Sequence, residues 1–203
     1  MTTAVVSSIY HPSRGNSFKT IAWQPPKKRK KPPMNCISEN VCVSSLAAFT
    51  SPGLIAADLR GRDLPSVIYE LSGALQSEAR IPELLPFYHA ALSREYLCST
   101  ALSHEIAFPH AQISGLPRLT FAFGKSPEPL PWGSRTSSSV RFVFLIAAPS
   151  GNSVNYLSLI GGLAQFAKRS DLLQRLSKTS TPAGIYEFFA EIEISFRGGK
   201  DYP

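Results

Sequence analysis

The chain has few cysteines and no long apolar run, and both features narrow the class of protein. Its 203 residues include three cysteines, Cys36, Cys42 and Cys98, none of which forms a C-x-x-C pair. This odd, scattered set argues against a disulfide framework or a zinc site and is typical of a reducing compartment. No stretch of about 18 apolar residues is present, so we predict no transmembrane segment. We expect a cytoplasmic protein, because the sequence also begins without the apolar core of a secretory signal.

Acidic residues are absent from residues 1–33, which hold seven of the 21 lysines and arginines. The net charge of +7 therefore belongs to this segment, since the 14 basic residues beyond it balance the 14 acidic residues. Its Ser-, Pro- and Lys-rich composition buries too little apolar surface to offset the entropy of ordering. We predict a disordered basic extension and place its end at residue 45. We do not predict nucleic-acid binding by this extension, because few aromatic residues are available to stack on bases.

Residues 46–196 alternate between helical and extended patterns. Apolar spacing predicts a helix over residues 63–77 with Asp63 as its N-cap, a second helix from about residue 81, and a third whose apolar side includes Val154, Leu157 and Ile160. Two shorter helices are predicted near the end of the chain, over residues 171–176 and 182–192.

Apolar runs predict strands at residues 106–108, 119–123 and 140–148, and the last is long enough to lie centrally in a sheet. The Pro-, Gly- and Ser-rich segment 126–139 predicts a loop too long for a tight hairpin. We therefore expect one α/β domain over residues 46–196, with a mixed parallel and antiparallel sheet flanked by helices on both faces. A polar tail, residues 197–203, follows it.

Residues 93–112 collect the side chains suited to chemistry. The segment reads SREYLCSTALSHEIAFPHAQ and places Arg94, Ser99, Thr100 and His110 around a helix end and a strand end, where α/β proteins usually hold their sites. A neutral imidazole can attack phosphorus at neutral pH, because its ordinary pKa is about 6.5. Arginine binds phosphate oxygens through a planar fork. Taken alone, however, a single histidine is more often structural than catalytic.

The order of these motifs identifies a family. Arg94-Glu95 is followed by Ser99-Thr100 and then by an apolar-Ala-apolar-Pro-His run that ends at His110. This pattern resembles the enzyme IIA domain of the phosphoenolpyruvate-dependent sugar phosphotransferase system, fructose/mannitol class, including nitrogen-regulatory enzyme IIA. The resemblance continues in register over about residues 46–193.

The resemblance implies a function and a set of site residues. His110 would be the phosphorylated histidine, with Arg94 beside it and Ser99 and Thr100 as donors to the phosphate. The phosphoryl group would come from a histidine-containing phosphocarrier protein and pass to a cysteine of an enzyme IIB domain. No cofactor or metal is implied, because the transfer runs directly between side chains.

The chain departs from the family pattern at two places. The usual glycines of a G-x-G-N-G run appear here as Ala101, Ser103 and Glu105, with His104 at the Asn. Where phosphate-transferring members usually carry a second histidine, this chain has Asn155-Tyr156, and we expect Tyr156 to lie near His110. Tyrosine can donate a hydrogen bond to a phosphate but carries no positive charge. A regulatory interaction module, which controls a partner protein, therefore stays open as the alternative to a phosphoryl carrier.

Overall fold

The computed structural model describes residues 35–38, 41–102, 105–133, 138–151 and 153–197. Its strands form a six-stranded mixed sheet and a separate three-stranded antiparallel sheet. The strands are β1 (Asn35–Ser38), β2 (Val41–Ser45), β3 (Ile55–Ala56), β4 (Ala101–Leu102), β5 (Ile106–Ala107), β6 (His110–Ile113), β7 (Thr120–Trp132), β8 (Ser138–Pro149) and β9 (Glu193–Arg197). The helices are α1 (Leu64–Ser77), α2 (Leu84–Leu97), α3 (Ser153–Ala167), α4 (Ser170–Lys178) and α5 (Pro182–Ala190).

Strand β8 is the centre of the large sheet. It pairs antiparallel with β7 and parallel with both β5 and β6. Successive side chains of a strand point to opposite faces, so Phe144 and Ile146 face the cluster that includes α3, α4 and α5. Val143 and Leu145 face the cluster that includes α1 and α2. The predicted mixed sheet with helices on both faces is therefore confirmed.

Helix α1 begins where the sequence predicts. The Asp63 carboxylate accepts a hydrogen bond from the backbone N–H of Ser66 at 2.8 Å, and the Ser66 hydroxyl oxygen accepts one from the backbone N–H of Asp63 at 3.2 Å. This reciprocal pair is a capping box, which satisfies two N–H groups that have no partner within the helix. The apolar residues of its buried face are Val67, Ile68, Leu71 and Leu75.

Helix α1 ends in a left-handed residue that is not glycine. Ala79 has φ of 50°. Its N–H donates to the Gln76 carbonyl at 2.9 Å, and the Arg80 N–H donates to the Leu75 carbonyl at 2.8 Å. This pair of bonds is the Schellman motif, whose left-handed position is usually glycine because a Cβ is unfavourable there.

We expect Ala79→Gly to raise the free energy of unfolding by about 0.5–1 kcal/mol, because relief of the left-handed Cβ penalty exceeds the added entropy of the unfolded chain. Urea unfolding monitored by circular dichroism measures this difference. Ala74→Gly is the matched control, since Ala74 lies inside α1 and its replacement should lower stability by about 1 kcal/mol. A loss of stability in both variants would contradict the assignment.

The predicted loop over residues 126–139 is wrong for most of its length. Strand β7 continues to Trp132 and β8 begins at Ser138, and the two pair again after an irregularity between Lys125 and Leu130. The extended form is favoured because Leu130 and Trp132 alternate into the core, where both are buried. Residues 134–137 lie outside the described part of the chain.

Strand structure is also present on the N-terminal side of the predicted boundary at residue 45. Strand β2 lies within the segment assigned to the extension, yet it pairs antiparallel with β9 over its whole length. The pairing is stabilised by burial of Ile194 and Phe196, and the Phe196 ring stacks on Phe49 with centroids 5.1 Å apart. Strand β9 ends at Arg197, the residue at which the sequence predicts the start of the tail. Residues 1–34 lie outside the described residues.

The buried faces of α2 and α3 differ from the apolar stripes in the sequence. Helix α2 buries Phe87, Ala91 and Glu95 and exposes Tyr96. Helix α3 exposes Val154 and Leu157, two residues predicted to share its apolar side. The predicted apolar side of α3 is wrong at these two residues, because apolar side chains also lie on the solvent side of the helix. None of the described helices combines the length and apolarity needed to cross a membrane.

Candidate functional site

His110 is the first residue of β6, directly after Pro109. Its imidazole is half-buried, and Nδ1 lies 2.9 Å from the backbone carbonyl oxygen of Phe108. Because a carbonyl oxygen only accepts hydrogen bonds, Nδ1 carries the proton in this arrangement. The lone pair of the neutral ring is then on Nε2, which leaves that nitrogen as the nucleophile.

The surroundings of His110 favour the neutral ring. Burial lowers the pKa of His110 below its ordinary 6.5, and the positive charge of Arg94 lowers it further. The hydrogen bond to Phe108 and the negative charge of Glu95 act in the opposite direction but are outweighed. At neutral pH most His110 rings are therefore unprotonated at Nε2.

An open cavity surrounds His110 at the meeting point of three elements. Helix α2 contributes Ala90 and Arg94, and α3 contributes Tyr156. The His110 and Tyr156 rings have centroids 5.5 Å apart, as expected from the sequence. Burial raises the pKa of Tyr156, so its hydroxyl stays protonated and can donate a hydrogen bond.

Arg94 is oriented by the backbone at the end of its own helix. Its Nη1 donates to the carbonyl oxygen of Cys98 at 2.8 Å. Among the described residues, the salt bridges do not include Arg94. No carboxylate in the described ranges neutralises its charge through an ion pair, so its remaining N–H groups can bind an anion in the cavity.

Ser99 and Thr100 do not line the cavity, although both were predicted to be donors to a phosphate. Their hydroxyls donate instead to the carboxylate of Glu95, at 3.1 Å from Ser99 and 2.7 Å from Thr100. The backbone N–H of Thr100 and the indole N–H of Trp132 also donate to Glu95, at 2.6 and 2.9 Å. Glu95 belongs to the Arg94-Glu95 motif, but the sequence alone did not indicate this network.

Gln112 is a cavity residue that sequence reasoning missed. It lies two positions after His110 on β6 and so shares its face of the strand. Its side chain is exposed and lines the same cavity, which also reaches Ala111. The alternation of strand side chains could have identified Gln112, had the start of β6 been placed at His110.

In the loop before His110, one residue that replaces a usual glycine of the family has the left-handed backbone conformation that glycine favours. Glu105 has φ of 61°, and its carbonyl accepts hydrogen bonds from the N–H groups of Arg141 and Phe142 at 2.7 and 2.9 Å. Ser103 and His104 lie outside the described residues. Within the described ranges, no group of three or more His, Cys, Asp or Glu side chains is placed to hold a metal ion.

A half-buried histidine that lines a cavity with an arginine, on a mixed sheet between two helical layers, defines the class of domain. The family model for the phosphoenolpyruvate-dependent sugar phosphotransferase system, EIIA 2, matches residues 48–192. The chain belongs to this family.

Individual relatives agree with this assignment. A nitrogen regulatory protein of Bradyrhizobium diazoefficiens is 27% identical over 129 residues, which cover 64% of this chain and 79% of that protein. The crystal structure of nitrogen regulatory protein IIA-Ntr from Neisseria meningitidis superposes with a TM-score of 0.65 at 19% identity, and the match covers 71% of this chain and 98% of the other. A chain in the complex of enzyme IIAMTL and phosphorylated enzyme IIBMTL from Escherichia coli superposes with a TM-score of 0.59 at 20% identity. That match covers 69% of this chain and 96% of the other. At these identities the two structures are evidence for the fold alone.

Proposed function

We propose that the protein is a cytoplasmic phosphoryl carrier that accepts phosphate on Nε2 of His110. The observation that carries the proposal is the Nδ1 hydrogen bond to the Phe108 carbonyl, because it leaves the Nε2 lone pair available. Arg94 and Tyr156 line the same cavity and supply a cationic and a neutral donor to the phosphoryl oxygens. Gln112 adds a second neutral donor. Phosphoryl transfer depends mostly on such positioning and charge stabilisation.

Each step of the proposed reaction needs only side chains of the phosphoryl donor protein and of the acceptor protein. The Nε2 lone pair of His110 attacks the phosphorus of a phosphohistidine on the phosphocarrier protein. As the new N–P bond forms, the old N–P bond breaks and its electron pair returns to the donor imidazole. The proton of His110 stays on Nδ1 throughout, where it is hydrogen-bonded to the Phe108 carbonyl oxygen. A cysteine thiolate of an enzyme IIB domain then takes the phosphoryl group by the same displacement.

Exposed apolar side chains on the helices of the site support docking of such partners. Leu97, Val154 and Leu157 are exposed on α2 and α3, the two helices that supply Arg94 and Tyr156. Exposed large apolar side chains near polar groups are typical of protein interaction sites. The similarity to an enzyme IIA that forms a complex with phosphorylated enzyme IIB supports the choice of the second partner.

The test is the pH dependence of phosphorylation by enzyme I and the phosphocarrier protein. Because the pKa of His110 is lowered, the rate should fall as Nε2 becomes protonated, with a midpoint below pH 6.5. Arg94→Gln removes the positive charge that contributes to this lowering, so the midpoint should move to higher pH and the plateau rate should drop. Arg169→Gln, which changes an exposed arginine on the opposite helical layer, should preserve both. A wild-type protein that takes up no phosphate would refute the proposal.

The regulatory alternative is favoured by one observation, the presence of Tyr156 in place of a second histidine. In that alternative His110 is still phosphorylated, but the phosphorylation state controls a partner protein and the phosphoryl group is not passed on. The names of the nitrogen regulatory relatives agree with it. Transfer from the phosphorylated protein to an enzyme IIB cysteine separates the two functions.

A further inference from the structure

Glu95 is a buried carboxylate that follows the cavity residue Arg94 in α2 and accepts four hydrogen bonds. Its side chain is only 2% exposed. Oε1 accepts from Ser99, from the Thr100 N–H and from Trp132, and Oε2 accepts from the Thr100 hydroxyl. Each carboxylate oxygen offers about two acceptor positions, so the three donors around Oε1 occupy it fully and the Thr100 hydroxyl occupies one position of Oε2.

Hydrogen bonds on both sides of the Phe108 backbone link Glu95 to the imidazole of His110. The Thr100 hydroxyl donates its single proton to Glu95, so its oxygen is left to accept a bond from the Phe108 N–H at 3.1 Å. The carbonyl of the same Phe108 accepts the bond from Nδ1 of His110. The N–H and the carbonyl of Phe108 belong to two successive peptide groups, and Pro109, whose φ is fixed by its ring, joins the second of them to His110. The bond from the Phe108 N–H to Thr100 therefore restricts where the carbonyl that holds Nδ1 can lie.

We propose that Glu95 is a positioning residue for His110, which fixes the Nδ1–H tautomer and the direction of Nε2 through Thr100 and the Phe108 backbone. The inference rests on the proposed phosphoryl transfer and extends it to residues that never touch the phosphoryl group. It assigns Ser99 and Thr100 to the support of the nucleophile. It also separates the roles of two consecutive residues: Arg94 faces the cavity and Glu95 holds the loop behind it.

The direction of each hydrogen bond explains why a carboxylate is needed. In Glu95→Gln the amide nitrogen would face the Thr100 hydroxyl and donate to it. The hydroxyl oxygen would then receive two donors, and its own proton would lose its acceptor. A hydroxyl that turns to find a new acceptor also turns the lone pair that the Phe108 N–H uses, so the bond that holds the Phe108 backbone would weaken and the carbonyl that orients His110 would lose its fixed position.

Four variants test the proposal. Glu95→Gln and Thr100→Val break the chain of hydrogen bonds, while Thr100→Ser keeps the hydroxyl and is the conservative rescue. Thr120→Val is the matched control: it removes a buried hydroxyl that donates to the Phe49 carbonyl at 2.8 Å and shares no bond with Glu95. Melting temperatures of all four report the purely structural cost.

The readouts are phosphorylation kinetics and the ¹⁵N shifts of the unphosphorylated imidazole. We expect Glu95→Gln and Thr100→Val to lower kcat about tenfold with KM for the phosphocarrier protein unchanged. Both should also convert a ring protonated at Nδ1 into a mixture of tautomers. Thr100→Ser and Thr120→Val should keep the wild-type rate and tautomer, whatever their melting temperatures.

Two results would overturn the proposal. One is a wild-type rate and tautomer in Thr100→Val; the other is an equal loss of rate in Thr120→Val, which would mean that stability alone controls the site. If Glu95→Gln does not fold, Thr100→Val alone tests the proposal. If Thr100→Val does not fold, Glu95→Gln alone tests it. Because the tautomer is measured without phosphate, it decides the role of Glu95 even if the wild type is never phosphorylated, a result that would refute only the proposed function.

Discussion

Replacing His110 by alanine is expected to reduce acid-labile phosphorylation to background. The variant removes the nucleophilic nitrogen that lies in the cavity beside Arg94, and within the described residues this cavity contains no second histidine. The protein would be incubated with phosphoenolpyruvate, enzyme I and the phosphocarrier protein, and bound phosphate measured before and after acid treatment. Because phosphohistidine is acid-labile, the wild type should lose its label in acid.

The matched control is His89→Ala. His89 is exposed on α2 and its ring lies beside Tyr88, with centroids 5.1 Å apart. It does not line the cavity, so its replacement should leave labelling unchanged. Label that survives in His110→Ala would place the phosphate on another residue. A chase of labelled wild type onto an enzyme IIB domain should move the phosphate to the enzyme IIB cysteine, whereas label that stays on His110 would favour the regulatory alternative.

The second large effect is expected from Tyr156→His. A phosphoryl group carries a charge of about −1.5 to −2 near neutral pH, and the cavity offers Arg94 as its cation. A histidine at this position can become a second cationic donor, because the rings of His110 and Tyr156 lie 5.5 Å apart. A charge-assisted hydrogen bond contributes about 1.5–3 kcal/mol. If it acts fully in the transition state, transfer should accelerate by about 10- to 100-fold.

Tyr156→Phe is the control for this variant. It keeps the ring and its burial but removes the hydroxyl, so any slowing of transfer measures what the Tyr156 O–H contributes. Rates from the phosphocarrier protein, and the lifetime of the phosphorylated form, would be measured for all three proteins. An unchanged rate in Tyr156→His would mean that Arg94 and the neutral donors already provide the stabilisation, and it would strengthen the carrier over the regulatory alternative.

The sequence predicted the parts of the fold whose residues carry a strong local signal. The long apolar run that became β8 is buried on both faces, and the Asp63 cap fixes the start of α1. The extension of β7 to Trp132 had no such signal, because prolines and a serine interrupt its apolar residues. That extension depends on a tertiary contact, the burial of Trp132 against α2 and its bond to Glu95.

The candidate site shows the same division between local and long-range information. His110 and Arg94 could be named from a motif, and the nearness of Tyr156 followed from the family resemblance. The functions of Ser99 and Thr100 could not be read from residue type, since a hydroxyl can bind either a phosphate or a neighbouring carboxylate. Only the fold shows that both hydroxyls donate hydrogen bonds to the Glu95 carboxylate.

The most direct test of the account is to locate the phosphoryl group by nuclear magnetic resonance. Protein labelled with ¹⁵N-histidine would be phosphorylated, and coupling between phosphorus and each imidazole nitrogen measured. The account predicts coupling to Nε2 of His110, with the proton retained on Nδ1 by the bond to the Phe108 carbonyl. Phosphorus on Nδ1, on another residue or absent from the protein would contradict it.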